Sequence, residues 1–376
     1  MQTKKNKLQE VARVFFKLGC FAFGGPAAHI AMMEEEVVAK RKWMSRDYFL
    51  DMIGATNLIP GPNSTEMTMH CGYERAGKKG LFVAGISFIL PAIVITGLLA
   101  YLYVEYGNLP EVQPFIFGIK PAVLAIIASA ILKLGKKAIK STELAVLGVL
   151  VLTVSLLGIN EIFALISAGI LGVLYFYFKD RLQNKTLVLS PVLLLFGVDE
   201  VIIKLTSIKV FLVFLKVGAI LYGSGYVLFA YLDAELVSRG WLARAELIDA
   251  IAVGQFTPGP VLSTSTFIGY QLSGFYGAIA ASVGIFLPSF LFVLILNPFI
   301  SKMRQSKILR HFLDAVNVAA VAVMLSVLII MTKETLIDWR AILIALLAIY
   351  LTFKTKISTM WIITIGALLG YLLLFI

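Results

Sequence analysis

Two lysines stand inside apolar stretches of this sequence, at matching places in a repeated pattern. Lys17 lies in the stretch 15–19 and Lys216 lies in the stretch 214–218, and neither stretch contains another charged residue. A lysine inside a membrane-like segment is costly unless it is paired, so such residues usually have a function. The alternative is that each lysine extends along its helix to the membrane surface. If the two lysines point inward, the chemistry they could do is the binding of an anion.

A Pro-Gly-Pro tripeptide occurs twice in apolar surroundings, at 60–62 and 258–260, and glycine-containing segments occur at 24–26 and 223–225. Proline removes a backbone donor and blocks the helical turn, so we expect broken or re-entrant helices there. A half-helix that begins at a break offers free N–H groups and its positive dipole end to an anion. For each uncharged side chain, helix capping or packing is the alternative role. The candidate substrate-binding residues are Lys17, Gly24, Gly25, Asn57, Gly61, Asn63, Ser64, Thr65, Lys216, Gly223, Ser224, Gln255, Gly259, Ser263 and Thr264.

Acidic residues near these breaks are candidates for binding and releasing a proton. Asp51 and Asp249 match each other at an offset of 198 residues, and Glu66 follows the first Pro-Gly-Pro segment. Arg46 and Arg244 lie close to matched tryptophans, as interfacial anchors do, and the two aspartates could simply pair with these arginines. The proton-coupling candidates are Glu34, Glu36, Glu66, Asp51 and Asp249.

The elements that carry these residues are predicted to be membrane-spanning helices. Of the 376 residues, 59% are hydrophobic and only 15% are charged, which excludes an ordinary soluble protein. No run alternates with a period of two, so the spans are helices and the fold class is all-α. The net charge of +11 is gathered in clusters between apolar runs, which indicates membrane topology and not nucleic-acid binding. Apolar runs long enough to cross a bilayer lie at 81–103, 115–132, 162–178, 210–232, 278–296, 316–331 and 361–376.

The sequence lacks the motifs of several enzyme and cofactor classes. Its two cysteines do not have the spacing of a metal site. It contains no Gly-Lys-Ser/Thr nucleotide-binding motif, so we do not expect ATP-driven transport by this chain alone. No pair of a nucleophile and a base stands out. We therefore expect no catalytic residue, no metal and no cofactor.

The sequence repeats itself at a nearly constant offset. The two lysines are 199 residues apart, the Pro-Gly-Pro segments are 198 apart, and Gly72-Tyr73 recurs 197 residues later. So many landmarks in the same order predict two homologous halves. We place the N-terminal half at 1–185, a connector at 186–204 and the C-terminal half at 205–376. The connector contains a short apolar stretch, 187–203, that could be an extra span.

Loop charges predict that the two halves are inverted relative to each other. In the first half, the loop before the 81–103 span is basic, and the loop after it, 107–113, contains no lysine or arginine. In the second half, the loop before the matching span, 270–277, contains none, and the segment after it, 302–310, is basic. Because basic loops stay in the cytoplasm, matching spans run in opposite directions. Such an inverted-topology repeat is typical of secondary transporters.

Four features each have a counterpart in the second half, namely the Phe-Gly-Gly-Pro segment at 23–26, the acidic segment at 34–38, Trp43 and the Pro-Gly-Pro segment at 60–62. This combination resembles the chromate transporter family in its long form, in which two homologous halves are fused. The resemblance covers nearly the whole chain and is strongest over 14–92 and 213–289. It implies a multi-pass carrier of the inner membrane that expels chromate, a tetrahedral dianion similar to sulfate, by using the proton motive force. The expected mechanism is alternating access of one half against the other.

Other functions remain open on the sequence alone. A carrier that imports or exchanges sulfate or another small anion would need the same kind of site. An enzyme acting on a lipid phosphate within the membrane has less support, because an enzyme does not need two matched access routes. The expected partners are the oxyanion and the lipid bilayer, with a homodimer as a further assembly and without nucleic acid. Because Gly225 replaces Pro26, and Val261 replaces Asn63, we expect an asymmetric pocket with more polar contacts from the first half.

Overall fold

The computed structural model describes residues 4–23, 25–56, 59–183, 206–222, 225–296, 306–355 and 357–374, and the structural statements below concern these residues. The predicted connector, 186–204, lies outside them. All regular structure in the described chain is helical, as predicted. The first half contains α1 (Lys4–Phe21), α2 (Gly25–Met33), α3 (Arg46–Thr56), α4 (Asn63–Tyr106), α5 (Gln113–Ala138), α6 (Thr142–Leu156) and α7 (Glu161–Gln183). The second half contains α8 (Ser207–Ile220), α9 (Leu228–Leu232), α10 (Arg244–Phe256), α11 (Thr264–Leu296), α12 (Lys307–Thr335), α13 (Trp339–Lys354) and α14 (Thr359–Leu374).

Five helices of the described chain are long and apolar enough to cross a membrane, namely α4, α5, α7, α11 and α12. The shorter α6 and α14 are apolar too. These helices confirm a polytopic membrane protein. The apolar run 210–232 is long enough for one span, but no single helix of the described chain covers it, in keeping with the break that the sequence predicted near 223–225. Helix α8 ends at Ile220 and α9 begins at Leu228, because the glycines and serine at 223–225 disfavour a continuous helix.

Helices α4 and α11 are each a tight hairpin of two helical arms. The backbone leaves the helical region at Gly77 (φ 65°) and at the matched Gly274 (φ 61°), a conformation that favours glycine. Beside the first turn, a β-carbon on Gly72 would collide with the carbonyl oxygen of Gly80. Residues eight apart in a straight helix would be about 12 Å apart. The chain therefore reverses at each glycine, and a short arm packs against a long one.

The first helix of each half packs along the long arm of its own hairpin. Helix α1 lies on α4 and α8 lies on α11. At the closest approach, Gly19 faces the carbonyl oxygen of Phe88, and Gly218 faces that of Ile285, with no room for a β-carbon at either glycine. The two glycines are 199 residues apart and the two carbonyls are 197 apart. The sequence repeat therefore corresponds to a repeated packing arrangement.

The remaining helices interlock the halves. Helix α5 packs against α13 and α14 of the second half, and its counterpart α12 packs against α6 and α7 of the first half. Small residues permit the close contacts, as is usual between membrane helices. Gly118 lies against Gly366 and Gly370, and the matched Ala315 lies against Gly172. Such reciprocal contacts are those of a two-fold arrangement, in which each half makes the same contact with the other.

Candidate functional site

Four breaks separate consecutive helical segments of the described chain: α1 ends at Phe21 and α2 begins at Gly25, α3 ends at Thr56 and α4 begins at Asn63, α8 ends at Ile220 and a 3₁₀ turn begins at Gly225, and α10 ends at Phe256 and another 3₁₀ turn begins at Val261. Two backbone hydrogen bonds join them across the halves. The Gly61 N–H donates to the carbonyl oxygen of Leu221 (2.6 Å), and the Gly259 N–H donates to that of Ala22 (2.9 Å). Leu221 matches Ala22 at an offset of 199, and Gly259 matches Gly61 at 198. The two bonds are therefore the same bond made twice, in opposite directions between the halves.

Further contacts bring all four breaks into one region, which we call the junction. A β-carbon on Gly25 would lie 3.4 Å from the Tyr226 hydroxyl oxygen. That hydroxyl donates to Gln255 Oε1 (3.5 Å) at the end of α10. Helices α2 and α4 begin at the junction, and α11 begins there through a 3₁₀ turn, Val261–Ser263. Their positive dipole ends and free N–H groups favour a negative charge.

The side of the junction around Gly61 is polar. A β-carbon on Gly61 would collide with Glu66 Oε1 and would lie 2.5 Å from Ser289 Oγ, and the backbone has φ 136°, so only glycine fits. Glu66, Ser289 and Thr65 are fully buried. Within the described residues, neither oxygen of Glu66 and neither hydroxyl has a hydrogen-bond partner. A buried polar group usually has one, so these atoms indicate a site for a bound species.

The matching side around Gly259 is less polar. The position of Ser289 is taken by Ala92, whose β-carbon would lie 2.8 Å from a β-carbon on Gly259. The position of Glu66 is taken by Thr264, whose hydroxyl donates to the carbonyl oxygen of Val261 (2.8 Å). The two sides thus share a backbone geometry and differ in side-chain chemistry. Of the polar groups at Gly61, Glu66 comes from the first half and Ser289 from the second, and a pocket with more polar contacts from the first half stays a prediction.

His29 is a junction residue that sequence reasoning missed. Its Nε2 lies 3.1 Å from the Ala22 carbonyl oxygen, which also accepts from Gly259, and its Nδ1 lies 3.3 Å from Ser64 Oγ. Since a carbonyl only accepts, Nε2 carries the proton and Nδ1 accepts from the Ser64 hydroxyl. The sequence contains no signal for this role, because His29 lies in a short apolar helix and its counterpart is Leu228.

A second buried polar cluster joins the halves at Asp249. Its Oδ2 accepts from the Tyr103 hydroxyl (2.7 Å) and lies 3.4 Å from Lys120 Nζ. The expected pairing of Asp249 with Arg244 is wrong, since Arg244 donates to Asp233 (2.8 Å) and to Glu334. Lys120 is a third lysine within an apolar stretch and was not among the predicted site residues. Its position inside the apolar run 115–132 is the same kind of signal that singled out Lys17.

The two lysines that the sequence analysis placed first are exposed in the structure. The Lys216 side chain is 46% exposed and donates to Glu235 Oε1 (2.6 Å), which Arg239 also contacts through the other oxygen (3.0 Å). Lys17 occupies the equivalent exposed face of α1. Direct contact of either lysine with a substrate stays a prediction.

The predicted proton-coupling residues fall into two groups. Three are exposed or lie in ion pairs near the surface, and two are buried. Glu34 pairs with Arg46 (2.9 Å), just as the matched Asp233 pairs with Arg244. Glu36 pairs with Lys40 and Arg41; although burial opposes it, the hydrogen bonds from Arg41 and Lys40 hold its pKa below the ordinary value. Asp51 is exposed. The buried candidates are Glu66 and Asp249.

The other predicted substrate-binding residues fall into three groups. Ser64, Thr65, Gln255, Ser263 and Thr264 are buried in segments that start or end at the junction, and Ser263 Oγ accepts from the Thr96 hydroxyl (3.3 Å). Asn63 is half-buried at the first position of α4. Gly24, Asn57, Gly223 and Ser224 lie outside the described residues.

Comparisons with known proteins identify relatives over the full length of the chain. The family model described as "Chromate transporter" matches residues 9–173 and again 208–371. A "Probable chromate transport protein" of Synechococcus elongatus is 29% identical over 96% of this chain and 95% of its own length. A "Chromate transport protein" of Cupriavidus metallidurans is 30% identical over 96% of this chain and 92% of its own. An uncharacterized Bacillus subtilis transporter is 25% identical over 42% of this chain and 91% of its own. No solved structure matches the chain.

Proposed function

The chain belongs to the chromate transporter family, and we propose that it moves chromate, or an oxyanion of the same shape and charge, across the membrane by secondary active transport. It is a multi-pass membrane transporter and not an enzyme. The observation that carries the proposal is the pair of crossed hydrogen bonds that holds four helix breaks together. Broken helices around a shared centre are the usual substrate site of secondary transporters.

The chemistry of the junction supports an anionic substrate. A dianion in a water-poor site needs several hydrogen bonds and compensating positive charge. The starts of α2, α4 and α11 supply positive dipole ends, and the buried hydroxyls of Thr65 and Ser263 supply side-chain donors. The predicted lysine contacts would supply full charges, but in the conformation described here they require rearrangement of α1 and α8.

We propose that the halves are inverted and that they exchange access between the two sides of the inner membrane. The reciprocal contacts of the halves and the reversed loop charges support this arrangement. In a cell whose interior is negative, the membrane potential favours the exit of an anion by about 2.3 kcal/mol per charge per 100 mV. Efflux driven by the membrane potential, the electrical part of the proton motive force, is therefore the direction we propose.

The test is the chromate content of cells that express the protein. Expression in a chromate-sensitive bacterium should lower cellular chromate. The variants Gly61→Ala and Gly259→Ala should abolish this effect, because each adds a β-carbon to a crowded junction. The matched control is Gly54→Ala, since a β-carbon at Gly54 meets nothing within 4 Å. With equal protein in the membrane, unchanged efflux in both junction variants would contradict the proposal.

Transport of sulfate or another small anion is the second candidate. It is kept because hydroxyls and helix starts recognise any tetrahedral dianion, and sulfate has nearly the shape and charge of chromate. Uptake of labelled chromate into inverted membrane vesicles, with sulfate added in excess, separates the two. Strong competition by sulfate would make the site a general one for oxyanions, and its absence would favour chromate.

A further inference from the structure

We propose that Glu66 binds a proton together with the transported anion, so that the proton and the anion cross the membrane in the same direction. This inference rests on the proposed function, because it assumes that the anion binds at the junction. It adds a direction and a number to the coupling, namely one proton at Glu66 per anion.

The geometry puts a single carboxyl where the anion is expected. Glu66 lies in the first turn of α4, is 0% exposed, and faces the α-carbon of Gly61 together with Ser289. Both of its oxygens lack a hydrogen-bond partner within the described residues, as does the Ser289 hydroxyl. The start of α4 favours a negative charge, and a carboxylate and a dianion would compete for it. A proton on Glu66 removes this repulsion and leaves an O–H that can donate to the anion.

Among the described residues, the groups that face Glu66 do not supply a positive charge that could remove its repulsion of the anion in place of a proton. Tyr222, at the break after α8, lies within electrostatic range of Glu66 and is neutral in its ordinary form. Helix α11 contains no Asp, Glu, Lys or Arg. Other titratable groups on or against α4 are His70, one turn along the same helix, His29 on α2, which is engaged by Ala22 and Ser64, and Asp249 on α10, which is engaged by Tyr103 and Lys120. Farther along α4, Arg75 pairs with Glu10 of α1 and Glu74 accepts from the Tyr48 hydroxyl of α3. The exposed groups are Lys78, Lys79 and Glu105 of α4, Asp51 of α3 and Lys17 of α1.

The repeat supports one proton per transported anion, because only one half has a carboxyl at this position. Thr264 occupies the position of Glu66 in the second half, and its hydroxyl is already bonded to the backbone. The junction as described therefore has one such carboxyl per chain. A dianion that moves with one proton carries one net negative charge, whereas a dianion alone carries two. The membrane potential therefore still drives the exit of the anion and its proton, with half the electrical force that acts on the dianion alone.

The test uses the full chain reconstituted in liposomes, with chromate flux and internal pH recorded together. In the wild type, protons should move in the direction of chromate, one for each chromate. In Glu66→Gln, whose amide is always neutral, the ratio of protons to chromate should fall to zero and the charge moved per chromate should double. Glu105→Gln, an exposed position near the end of the same helix, is the matched control and should keep the wild-type ratio.

A binding measurement keeps the inference testable if Glu66→Gln does not transport. Chromate affinity of the wild type should fall by up to about tenfold per pH unit as the pH rises, over a range in which chromate is fully the dianion. Affinity independent of pH, or protons moving against chromate, would overturn the inference. Loss of the pH dependence in His70→Gln, with the dependence intact in Glu66→Gln, would also overturn it. A wild type that moves no chromate would refute the proposed function instead.

Discussion

His29 connects three segments of the chain at the junction and belongs to the first half only. Its ring reaches the Ala22 carbonyl oxygen and the Ser64 hydroxyl, so it links the end of α1 to the start of α4. The Ala22 carbonyl also accepts the hydrogen bond from Gly259 of the second half. The ring thus supports one of the two crossed bonds, and the other, at Leu221, has no histidine beside it.

His29→Ala should lower the free energy of unfolding by about 1–3 kcal/mol, because it leaves the buried Ser64 hydroxyl without that partner. Thermal unfolding of the purified protein in detergent measures the effect. His29→Gln keeps a donor and an acceptor on a side chain of similar reach, so it should recover part of the loss. An equal loss in both variants would show that the ring contributes by packing against Phe88 rather than by hydrogen bonding.

The places where helices break could be predicted from local signals, whereas side-chain contacts could not be predicted where the partner comes from elsewhere in the chain. Gly61 and Gly259 were found because proline and glycine break helices wherever they occur. The partners of Asp249 could not be found, because Tyr103 and Lys120 reach it only through packing of the first half against α10. For Lys17 and Lys216 the sequence left open an inward position and extension to the membrane surface, because an isolated lysine does not reveal which face of its helix is covered.

Among the elements, α3 and α10 show how matched helices acquire different environments. Most of α10 is buried, because it packs against α5 and α14, whereas α3 packs mainly on α4 and leaves one face exposed. For this reason Asp249 is buried and its counterpart Asp51 is exposed. The repeat in sequence thus predicts the backbone of both halves but not the burial of their side chains.

The hairpin turns of α4 and α11 make a prediction at the same scale. At Gly77 the backbone has φ 65° and ψ −156°, a region that is essentially limited to glycine. Gly77→Ala should therefore destabilise the protein by about 1–3 kcal/mol, although a β-carbon there would meet no neighbouring atom. The measurement is thermal unfolding. Gly54→Ala, in the regular helix α3, should not destabilise, and equal effects of the two changes would contradict this account.

Element boundaries were predictable where proline marked them. The breaks around 60–62 and 258–260 lie where the sequence predicted. The run 210–232 gave two signals: its length is that of a span, and its glycine-containing segment at 223–225 predicts a break. Without a proline, this break was less sharply marked than those at 60–62 and 258–260. The sequence did not reveal that the basic loop at 75–79 is a sharp turn between two packed arms.

At the scale of the whole molecule, the halves interlock. Because α5 is covered by α13 and α14, and α12 by α6 and α7, neither half has a complete set of neighbours of its own. Packing of this kind could not be predicted from the sequence, since a repeat shows that the halves are alike and not how they meet. The boundaries 1–185 and 205–376 stay predictions. Movement of one half against the other must change the contacts of α5 and α12 with the opposite half.

Inverted topology predicts that matched hairpin tips lie on opposite sides of the membrane. Lys78 and Phe275 are 197 residues apart, exposed, and next to Gly77 and Gly274. In a chain with Cys20 and Cys71 replaced by serine, Lys78→Cys should react with an impermeant maleimide only from the cytoplasmic side and Phe275→Cys only from the outside. Labelling of both positions from one side would exclude the inversion.

The crossed hydrogen bonds also mean that backbone groups of the first half have no partner until the second half has been synthesised. The Gly61 N–H can form its hydrogen bond only after Leu221 has been synthesised, and the Ala22 carbonyl oxygen can form the bond to Gly259 only after Gly259 has been synthesised. The partner of Gly61 is about 160 residues away, which takes on the order of 10–30 s to synthesise at the usual rate of elongation. During that time the first half has open backbone groups at membrane depth, where no lipid can bond to them. Water, the insertion machinery or a chaperone must shield the first half until the second arrives.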